Sequence, residues 1–283
     1  MGVTFVIMPL LSLIEDNLNF VLDLGIPACS LSSATNTKNE EKKMGHFYRE
    51  IKQMNYKIVY LTPEKLVKSA ALLNTLDDLY GLNKIDRFVI DEVHCVSHWG
   101  QDFRKDYLHL DQLKKRYQTV PLLGLTATAT NKVKDDIVNR LGIANDCHIF
   151  QSSFNRPNLI YEIREKKNVK NLEADLSLLL NTRFKGKSGI IYCISRKDCE
   201  RLTEVLSTKY KVKCDFYHAD LVYSRRQEIQ QKWMNDEIQV IIATIAFGMG
   251  INKRDVRFVV HYSIPKSLEG YVQECGRSGR DGK

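Results

Sequence analysis

Several features are missing from these 283 residues, and each absence excludes a class of protein. No run approaches the roughly 18 consecutive apolar residues of a membrane-spanning helix, and the opening MGVTFVIMPL lacks the basic start and cleavage site of a signal peptide. No two of the seven cysteines have the C-x-x-C spacing of a zinc site. We therefore expect an intracellular protein that binds no membrane, with most of its cysteines reduced and buried.

What the sequence does contain is enough apolar material for two folded domains. Apolar residues make up 43% of the chain, which at this length supports two cores of ordinary size. The net charge of +8 is uneven, because residues 1–150 have equal numbers of basic and acidic side chains and all of the excess lies in residues 151–283. A basic half is typical of proteins that bind a polyanion, although an ordinary solvated surface has the same composition.

Short β-rich runs alternate with amphipathic stretches along the chain. This is the pattern of βαβ units, and it predicts an α/β fold with parallel sheets covered on both faces. In the first half, apolar residues at helical spacing predict a helix that ends at Gly25, and residues 35–43 are polar enough for a solvated loop or a helix start. The strand candidates of this half are residues 4–8, 57–61, 87–90 and 121–126.

The second half repeats this scheme. The segment 152–158 is the best candidate for a linker, because Pro157 disfavours helix and polar residues surround it. We therefore predict one domain over residues 1–152 and another over residues 153–283, with no short-period repeat in either. The strand candidates of the second half are residues 158–163, 189–194, 212–218, 239–244 and 257–262.

Two adjacent acids, Asp91 and Glu92, follow the strand candidate at residues 87–90. In an open parallel sheet, ligands bind beyond the carboxyl ends of the strands, so this pair is placed to hold Mg²⁺ and to polarise a water. Neighbouring side chains on an extended segment point to opposite sides, which suits two separate tasks. An acidic turn after a buried strand has the same sequence, and only the surrounding motifs decide between these interpretations.

Polar residues also follow other strand candidates. Thr126 and Thr128 lie in the run LTATAT and suit hydrogen bonds to the tetrad at residues 91–94 or to a phosphate, although threonine is common in strands. In TIAFGMGIN, Thr244 precedes Gly248 and Gly250, which let backbone amides approach a phosphate.

Ser195 and His218 follow two strand candidates of the second half. Contacts to a nucleic-acid backbone are expected at such strand ends. A satisfied polar residue at the rim of a sheet is an equal alternative for each.

Trp99 and Phe103 lie beside Arg104 in the run CVSHWGQDFR, directly after the acids. Exposed aromatic rings next to a guanidinium form a stacking platform for single-stranded bases. Tryptophan and phenylalanine are more often core residues, but Gly100 and the dense polar neighbours favour a loop here.

Two arginines three residues apart, Arg277 and Arg280, lie among glycines near the end of the sequence. Flexible glycines would let both guanidiniums insert between phosphates, where the planar donors bind two oxygens at once. Gln273 precedes them and suits a sensor of the terminal phosphate, next to an arginine that stabilises charge in a transition state. A basic loop without this function has a similar composition.

The order of these motifs resembles that of the superfamily 2 helicases, and in particular the RecQ family of DNA helicases. The resemblance rests on DEVHC with its aromatic loop, GLTATATN, the SFNRPNL linker, GIIYC, and AFGMGINKRDVRFVVHYSIPKS leading into the double-arginine motif. It extends from MPLLSLIEDN, which is similar to motif Ia, to GRSGRDGK. Within the family, the chain is most similar to the vertebrate RECQL type.

The resemblance implies two RecA-like lobes that close on ATP and Mg²⁺ at their interface and move 3′ to 5′ along single-stranded DNA. It places Mg²⁺ on Asp91, the base for water on Glu92 and the arginine finger on Arg280. The implied catalytic residues are Asp91, Glu92, His94, Gln273, Arg277 and Arg280. The implied ATP-binding residues are Asp91, Thr126, Thr128, Gly248, Gly250 and Asp255. The implied DNA-binding residues are Ser12, Trp99, Phe103, Arg104, Ser195, His218 and Thr244.

The sequence departs from the family pattern in one respect that matters for activity. The loop G-x-x-x-x-G-K-S/T, which cradles nucleotide phosphates, does not occur, whereas Lys105, Cys275 and Ser278 are mild differences. We interpret the chain as the central piece of a longer helicase, truncated at the start of the first lobe and the end of the second, with any zinc-binding region beyond Lys283. The chain alone is therefore expected to be inactive as an ATPase and a helicase.

The sequence as a whole predicts an ATP-dependent DNA helicase of RecQ type. The expected partners are single-stranded and forked duplex DNA, and the expected setting is DNA repair and recombination in the nucleus. Two alternatives stay open: an RNA helicase of the DExH class, against which the aromatic loop argues, and a nucleic-acid-binding module without catalysis. The joint presence of Asp91, Glu92 and Arg280 argues against the second.

Overall fold

The chain divides into two compact units, Met1–Phe150 and Gln151–Lys283, in a computed structural model. The residues that the structure describes are 2–31, 38–98, 104–144, 147–165, 168–248, 251 and 253–283. The division falls two residues before the boundary predicted at residues 152 and 153. Each unit has one parallel sheet, as the alternation of β-rich and helical stretches predicts.

The first unit is built on a five-stranded sheet. Its strands lie in the order β2-β3-β1-β4-β5, so that β1 is central and pairs with both β3 and β4. The central strands form because their apolar runs are buried, with Phe5 and Phe88 each 1% exposed. The strands are β1 (Val3–Ile7), β2 (Ala28–Leu31), β3 (Ile58–Leu61), β4 (Ile85–Ile90) and β5 (Leu122–Gly124).

Helices connect these strands and cover the sheet. Side-chain oxygens of Thr62, Ser69 and Thr130 accept hydrogen bonds from backbone amides and so cap the starts of three helices. Two turns of 3-10 helix, Val93–Val96 and Lys105–Leu110, follow β4. The α-helices of the described part of this unit are α1 (Leu11–Asp23), α2 (Lys38–Lys52), α3 (Pro63–Lys68), α4 (Ala70–Gly81), α5 (Asp111–Arg116) and α6 (Asn131–Arg140).

Two strands of this sheet differ from the sequence predictions. β2 was not predicted, because its sequence ACSL has no β-branched or aromatic residue, and pairing with β3 overrides that weak propensity. β5 is shorter than the predicted run 121–126, and Leu123 and Leu125 are each 44% exposed. Among the described residues β5 pairs only with β4, so it is an edge strand with one open side.

The second unit has a four-stranded parallel sheet in the order β7-β8-β6-β9. One apolar cluster on this sheet includes Ile191 and Phe258, and another surrounds Trp233, which is fully buried. The strands are β6 (Gly189–Tyr192), β7 (Cys214–Tyr217), β8 (Val240–Ala243) and β9 (Phe258–His261). The helices of its described residues are α7 (Val169–Asn181), α8 (Arg196–Thr208), α9 (Tyr223–Met234) and α10 (Leu268–Cys275).

The strand predicted at residues 158–163 is wrong, because the structure has no strand there. Ile160 and Ile163 are 85% and 98% exposed. A β-prone run becomes a strand only where a neighbouring strand supplies backbone hydrogen bonds, and this segment forms no ladder with either sheet. Instead Arg156, just before this segment, and Asn158, its first residue, donate to the Gly279 carbonyl within the same unit.

The cysteines agree with the prediction of reduced thiols. All seven are free, and five of them are buried. Among the helices that the structure describes, none combines the length and the apolar character needed to cross a bilayer.

Gly189 opens the central strand β6 directly against an aromatic ring. A Cβ at this position would lie 2.1 Å from Cζ of Phe258, and that ring stacks on Phe184 with centroids 4.3 Å apart. We predict that Gly189→Ala lowers the free energy of unfolding of the second unit by about 2–3 kcal/mol, because the ring has no free space to enter. Urea denaturation followed by circular dichroism measures this loss.

Gly45 provides the matched control for this substitution. It lies within α2, and among the described residues no atom beyond its chain neighbours and its own helix backbone lies within 4 Å of the position that its Cβ would take. Gly45→Ala should therefore stabilise the first unit by about 0.5–1 kcal/mol through helix propensity. Equal effects of the two substitutions would contradict the packing described for β6.

Candidate functional site

The acids Asp91 and Glu92 are held at the carboxyl edge of the first sheet. The Asp91 amide donates to the carbonyl of Ile7 at the end of β1 (2.9 Å), and the Tyr107 hydroxyl donates to the Asp91 carbonyl (3.0 Å). Glu92 has a left-handed backbone, with φ of 49°, and this turn lets its amide donate to Oδ1 of Asp91 (2.9 Å). Both side chains are half-buried.

His94 connects the acids to the threonines that follow β5. Its Nδ1 lies 3.3 Å from Oε2 of Glu92 and 2.9 Å from Oγ1 of Thr126. The Thr126 hydroxyl also accepts a hydrogen bond from the Thr128 amide (3.3 Å). His94 is 1% exposed, and these neighbouring side chains surround its imidazole. The predicted contact between the threonines and the acidic motif is therefore present, and it runs through this histidine.

Backbone hydrogen bonds reinforce the same connection. The Val93 amide donates to the Leu125 carbonyl and the Leu125 amide donates to the Ile90 carbonyl, each at 2.8 Å. Gly124 lies against the Val93 side chain, where a Cβ would be 3.2 Å from Cγ1. The segments after β4 and β5 consequently form one tightly packed edge.

The acidic pair fits a magnesium ion that is bound mainly by other ligands. Among the described residues, no group of three or more His, Cys, Asp or Glu side chains could enclose a metal. Mg²⁺ is usually held by one or two protein carboxylates together with waters and substrate phosphates. Asp91 alone would therefore be a sufficient protein ligand. Burial raises the pKa of the Asp91 carboxyl, and the hydrogen bond from the Glu92 amide lowers it in part. A cation beside this carboxylate would offset the cost of burying its charge.

The predicted DNA-binding residues of the first unit are only partly described. Ser12 lies exposed on α1, and the Arg104 guanidinium donates to the Pro9 carbonyl just before that helix (2.6 Å). Trp99 and Phe103 lie outside the described residues. Ser97, which precedes them, is fully buried and donates to Asp136 of α6 (2.6 Å).

Three predicted residues of the second unit follow neighbouring strands at the carboxyl edge of its sheet. Ser195 caps α8, accepting from the Asp198 amide (3.0 Å) and donating to its carboxylate (2.7 Å). His218 is buried, with Nε2 3.1 Å from Oε1 of Glu200. The Thr244 hydroxyl accepts from the Ala246 amide (3.4 Å). These side chains share an edge, but each also makes a local structural contact.

The two arginines of the terminal motif bind the glycine-containing run after β8. Arg277 is buried and its Nη1 donates to the Gly248 carbonyl, while Nη1 of Arg280 donates to the Ile251 carbonyl (2.6 Å). Partial desolvation and the charges of Arg277 and Arg156 lower the pKa of Arg280. The guanidiniums are thus concentrated in one place.

The other predicted residues of this region lie around that motif. Gln273 is half-buried on α10, next to Glu274, whose carboxylate is 2.7 Å from Nε2 of His261. Asp255 is exposed, with Oδ1 3.3 Å from Nζ of Lys253, an ion pair that the sequence did not predict. Gly250 lies outside the described residues.

Sequence reasoning missed Arg156 and Asn158. Arg156 was interpreted only as part of a linker and Asn158 as the junction of that linker with a strand, yet their side chains donate to the Gly279 carbonyl at 2.7 Å and 2.9 Å. The available signal was the pair of long polar donors on either side of Pro157, in a segment otherwise rich in small polar residues.

Two helicase families match the chain. The DEAD/DEAH box helicase family matches residues 2–136, and the family described as Helicase conserved C-terminal domain matches residues 170–282. The first match falls within the first unit and the second within the second unit.

Proteins of similar sequence are likewise named as helicases. The chain is 49% identical over 282 residues to ATP-dependent DNA helicase Q-like 4B of Arabidopsis thaliana, and the match covers 100% of the chain and 24% of that protein. It is 45% identical over 281 residues to ATP-dependent DNA helicase Q1 of Rattus norvegicus, covering 99% of the chain and 45% of the relative. The chain therefore spans less than half the length of these relatives. The two identities are close, so they define the family and not the subtype.

Solved structures show the same fold. Dbp5 of S. cerevisiae, bound to RNA and ADP BeF3, is 20% identical with a TM-score of 0.66, and the match covers 100% of this chain and 69% of that one. Helicase Lhr of Mycobacterium smegmatis, bound to ssDNA and AMP-PNP, is 18% identical with a TM-score of 0.68, covering 99% and 38%. The two sheets are thus those of RecA-like superfamily 2 lobes. With relatives of 45–49% identity along essentially its whole length, the chain belongs to the RecQ family of DNA helicases.

Proposed function

We propose that this chain is the motor part of an ATP-dependent DNA helicase that travels 3′ to 5′ on single-stranded DNA and unwinds forked duplexes. The observation that carries the proposal is the link from Glu92 through His94 to Thr126, at the edge of the sheet where ligands bind. The family relationship supports DNA as the substrate, since the relatives are named as DNA helicases. A nuclear role in repair and recombination belongs to the same proposal.

Asp91 and Glu92 divide the chemistry of hydrolysis between them in this proposal. Mg²⁺ held by Asp91 would neutralise charge on the phosphates of ATP. Glu92 takes the proton of the attacking water, and the imidazole of His94, 3.3 Å away, fixes the orientation of that carboxylate. Thr126 and Thr128 make the next segment of the sheet sensitive to the position of His94.

The terminal motif supplies positive charge. Arg280 acts as the arginine finger, with Arg277 and Gln273 beside it, while Gly248, Gly250 and Asp255 border the nucleotide. Where Nη1 of Arg280 binds a phosphate, its hydrogen bond to the Ile251 carbonyl is exchanged for one to the ligand. Such exchange is favourable because a charged phosphate oxygen is a stronger acceptor than a carbonyl.

In this proposal, the remaining predicted residues bind DNA. The aromatic side chains of Trp99 and Phe103 stack on bases, and Arg104 ties their segment to the residues before Ser12. Ser195, His218 and Thr244 line the corresponding edge of the second sheet, where strand ends contact the phosphate backbone.

The 283 residues contain no phosphate-binding loop of the G-x-x-x-x-G-K-S/T type. We propose that the chain alone binds single-stranded DNA but turns over ATP only when such a loop is supplied. Tests of catalysis therefore use a fusion that adds a phosphate-binding loop, and tests of structure use the chain itself.

Glu92→Gln is predicted to abolish turnover while leaving ligand binding intact. In the loop-supplying fusion, DNA-stimulated ATP hydrolysis should fall by about 10²–10⁴-fold, because a positioned general base is lost. The Kd values for ATP and for single-stranded DNA should change by less than about threefold, since the amide keeps the size of the carboxylate. Steady-state hydrolysis assays and fluorescence titrations measure these quantities.

Glu204→Gln, on the exposed side of α8, is the matched control and should leave turnover unchanged. A Glu92→Gln variant that retains more than a tenth of the activity would show that another group activates the water.

The proposed direction and substrate predict a specific pattern of strand displacement. The fusion should unwind a duplex with a 3′ single-stranded DNA tail and leave a duplex with a 5′ tail intact, and DNA should stimulate hydrolysis more than RNA. Gel assays with the two tailed duplexes and with DNA or RNA oligonucleotides provide the measurement. Stronger stimulation by RNA would favour the DExH RNA helicase alternative, and DNA binding without any hydrolysis would favour the non-catalytic module.

A further inference from the structure

A four-residue turn, Ser278–Asp281, is attached by side chains to the segment that begins the second unit. Nη2 of Arg156 donates to the carbonyls of Gly279 (2.7 Å) and Ser278 (3.3 Å). Nδ2 of Asn158 donates to the same Gly279 carbonyl (2.9 Å) and to that of Lys283 (3.3 Å). The contacts join residues more than 120 positions apart in sequence. We call Arg156 and Asn158 the clamp.

Gly279 leaves room for the clamp because it has no Cβ. Its backbone is left-handed, with φ of 58°, and a Cβ there would lie 2.5 Å from Nδ2 of Asn158 and 2.8 Å from the Lys283 carbonyl. The Gly279 amide donates to the Val256 carbonyl just before β9 (2.9 Å). The turn is therefore fixed on one side by the sheet and on the other by the clamp.

Arg280 lies within this turn, directly after Gly279. Only one peptide bond separates it from the carbonyl that both clamp side chains bind, so a shift of that carbonyl moves the base of the Arg280 side chain directly. Arg156 is also close enough for its charge to contribute to the lowered pKa of Arg280. Like charges brought together repel one another, and the hydrogen bonds of the clamp oppose this repulsion, together with the ion pair between Arg257 and Asp281 of the turn.

We propose that Arg156 and Asn158 are positioning residues for Arg280. The inference rests on the proposed function, in which Arg280 stabilises the phosphate charge that develops during hydrolysis. A guanidinium displaced by about 1 Å from such a charge costs roughly 10²-fold in rate, whereas nucleotide binding depends on many other contacts. Loss of the clamp therefore lowers kcat and leaves KM for ATP and affinity for DNA nearly unchanged.

Hydrogen-deuterium exchange of the 283-residue chain tests the clamp independently of catalysis. Asn158→Ala and Arg156→Lys each remove contacts to the turn, and Arg164→Ala removes an exposed arginine of the same segment that pairs with Glu162. Peptides covering residues 276–283 should exchange about tenfold faster in the first two variants and at the wild-type rate in the third. Unchanged protection in Asn158→Ala would overturn the proposal, provided that circular dichroism shows both units folded.

Turnover in the loop-supplying fusion tests the consequence for Arg280. Asn158→Ala, which changes no charge, and Arg156→Lys, which keeps the charge, should each lower kcat by about tenfold or more, with KM for ATP and Kd for DNA within about twofold. Parallel loss of kcat and DNA affinity would indicate a general structural role and contradict positioning.

Arg156→Gln separates hydrogen bonding from charge. Normal activity of Arg156→Lys together with a defect only in Arg156→Gln would show that Arg156 acts through its charge, which also overturns the proposal. A wild-type fusion without any ATPase activity would contradict the proposed function itself and remove the role of the clamp, while the exchange result would still report whether the clamp holds the turn.

Discussion

The contact between the ends of β4 and β5 is the constraint on which the first unit depends. Both strands run in the same direction, so their carboxyl ends meet at one edge, and the buried imidazole of His94 bridges Glu92 and Thr126 there. Two backbone hydrogen bonds between the same segments leave little freedom for either to move alone. In the proposed function, a change at the acids reaches the threonines through these contacts, so that hydrolysis alters structure.

In the second unit, arginine side chains connect segments that are distant in sequence. Arg277 and Arg280 donate to carbonyls of the run after β8, so that backbone oxygens, not acidic side chains, are their partners in these contacts. A carbonyl holds a guanidinium in place without neutralising its charge. The same principle applies to Arg156, whose contacts to the terminal turn also end on carbonyls. These contacts therefore leave the positive charge of the three guanidiniums in place, and the proposed function uses that of Arg280 on phosphate.

Much of the fold was predictable because buried parallel strands are nearly continuous apolar runs. The strands β1, β4, β6 and β8 follow from such runs, and the acids after β4 follow from one of them. β2 and the irregular segment 158–163 were not predictable, since pairing with a neighbouring strand decides both. The His94 bridge and the clamp depend on contacts between residues 32 and more than 120 positions apart, which local patterns do not encode.

His94 and Thr126 act as one energetic unit if their contact links the two segments, and a double-mutant cycle on the 283-residue chain measures this. Unfolding free energies of His94→Leu, Thr126→Val and the double variant give the coupling between the two side chains. We expect a coupling of about 1 kcal/mol, so that the double variant loses less stability than the two single losses combined. Effects that add to within about 0.3 kcal/mol would contradict the link on which the proposed mechanism depends.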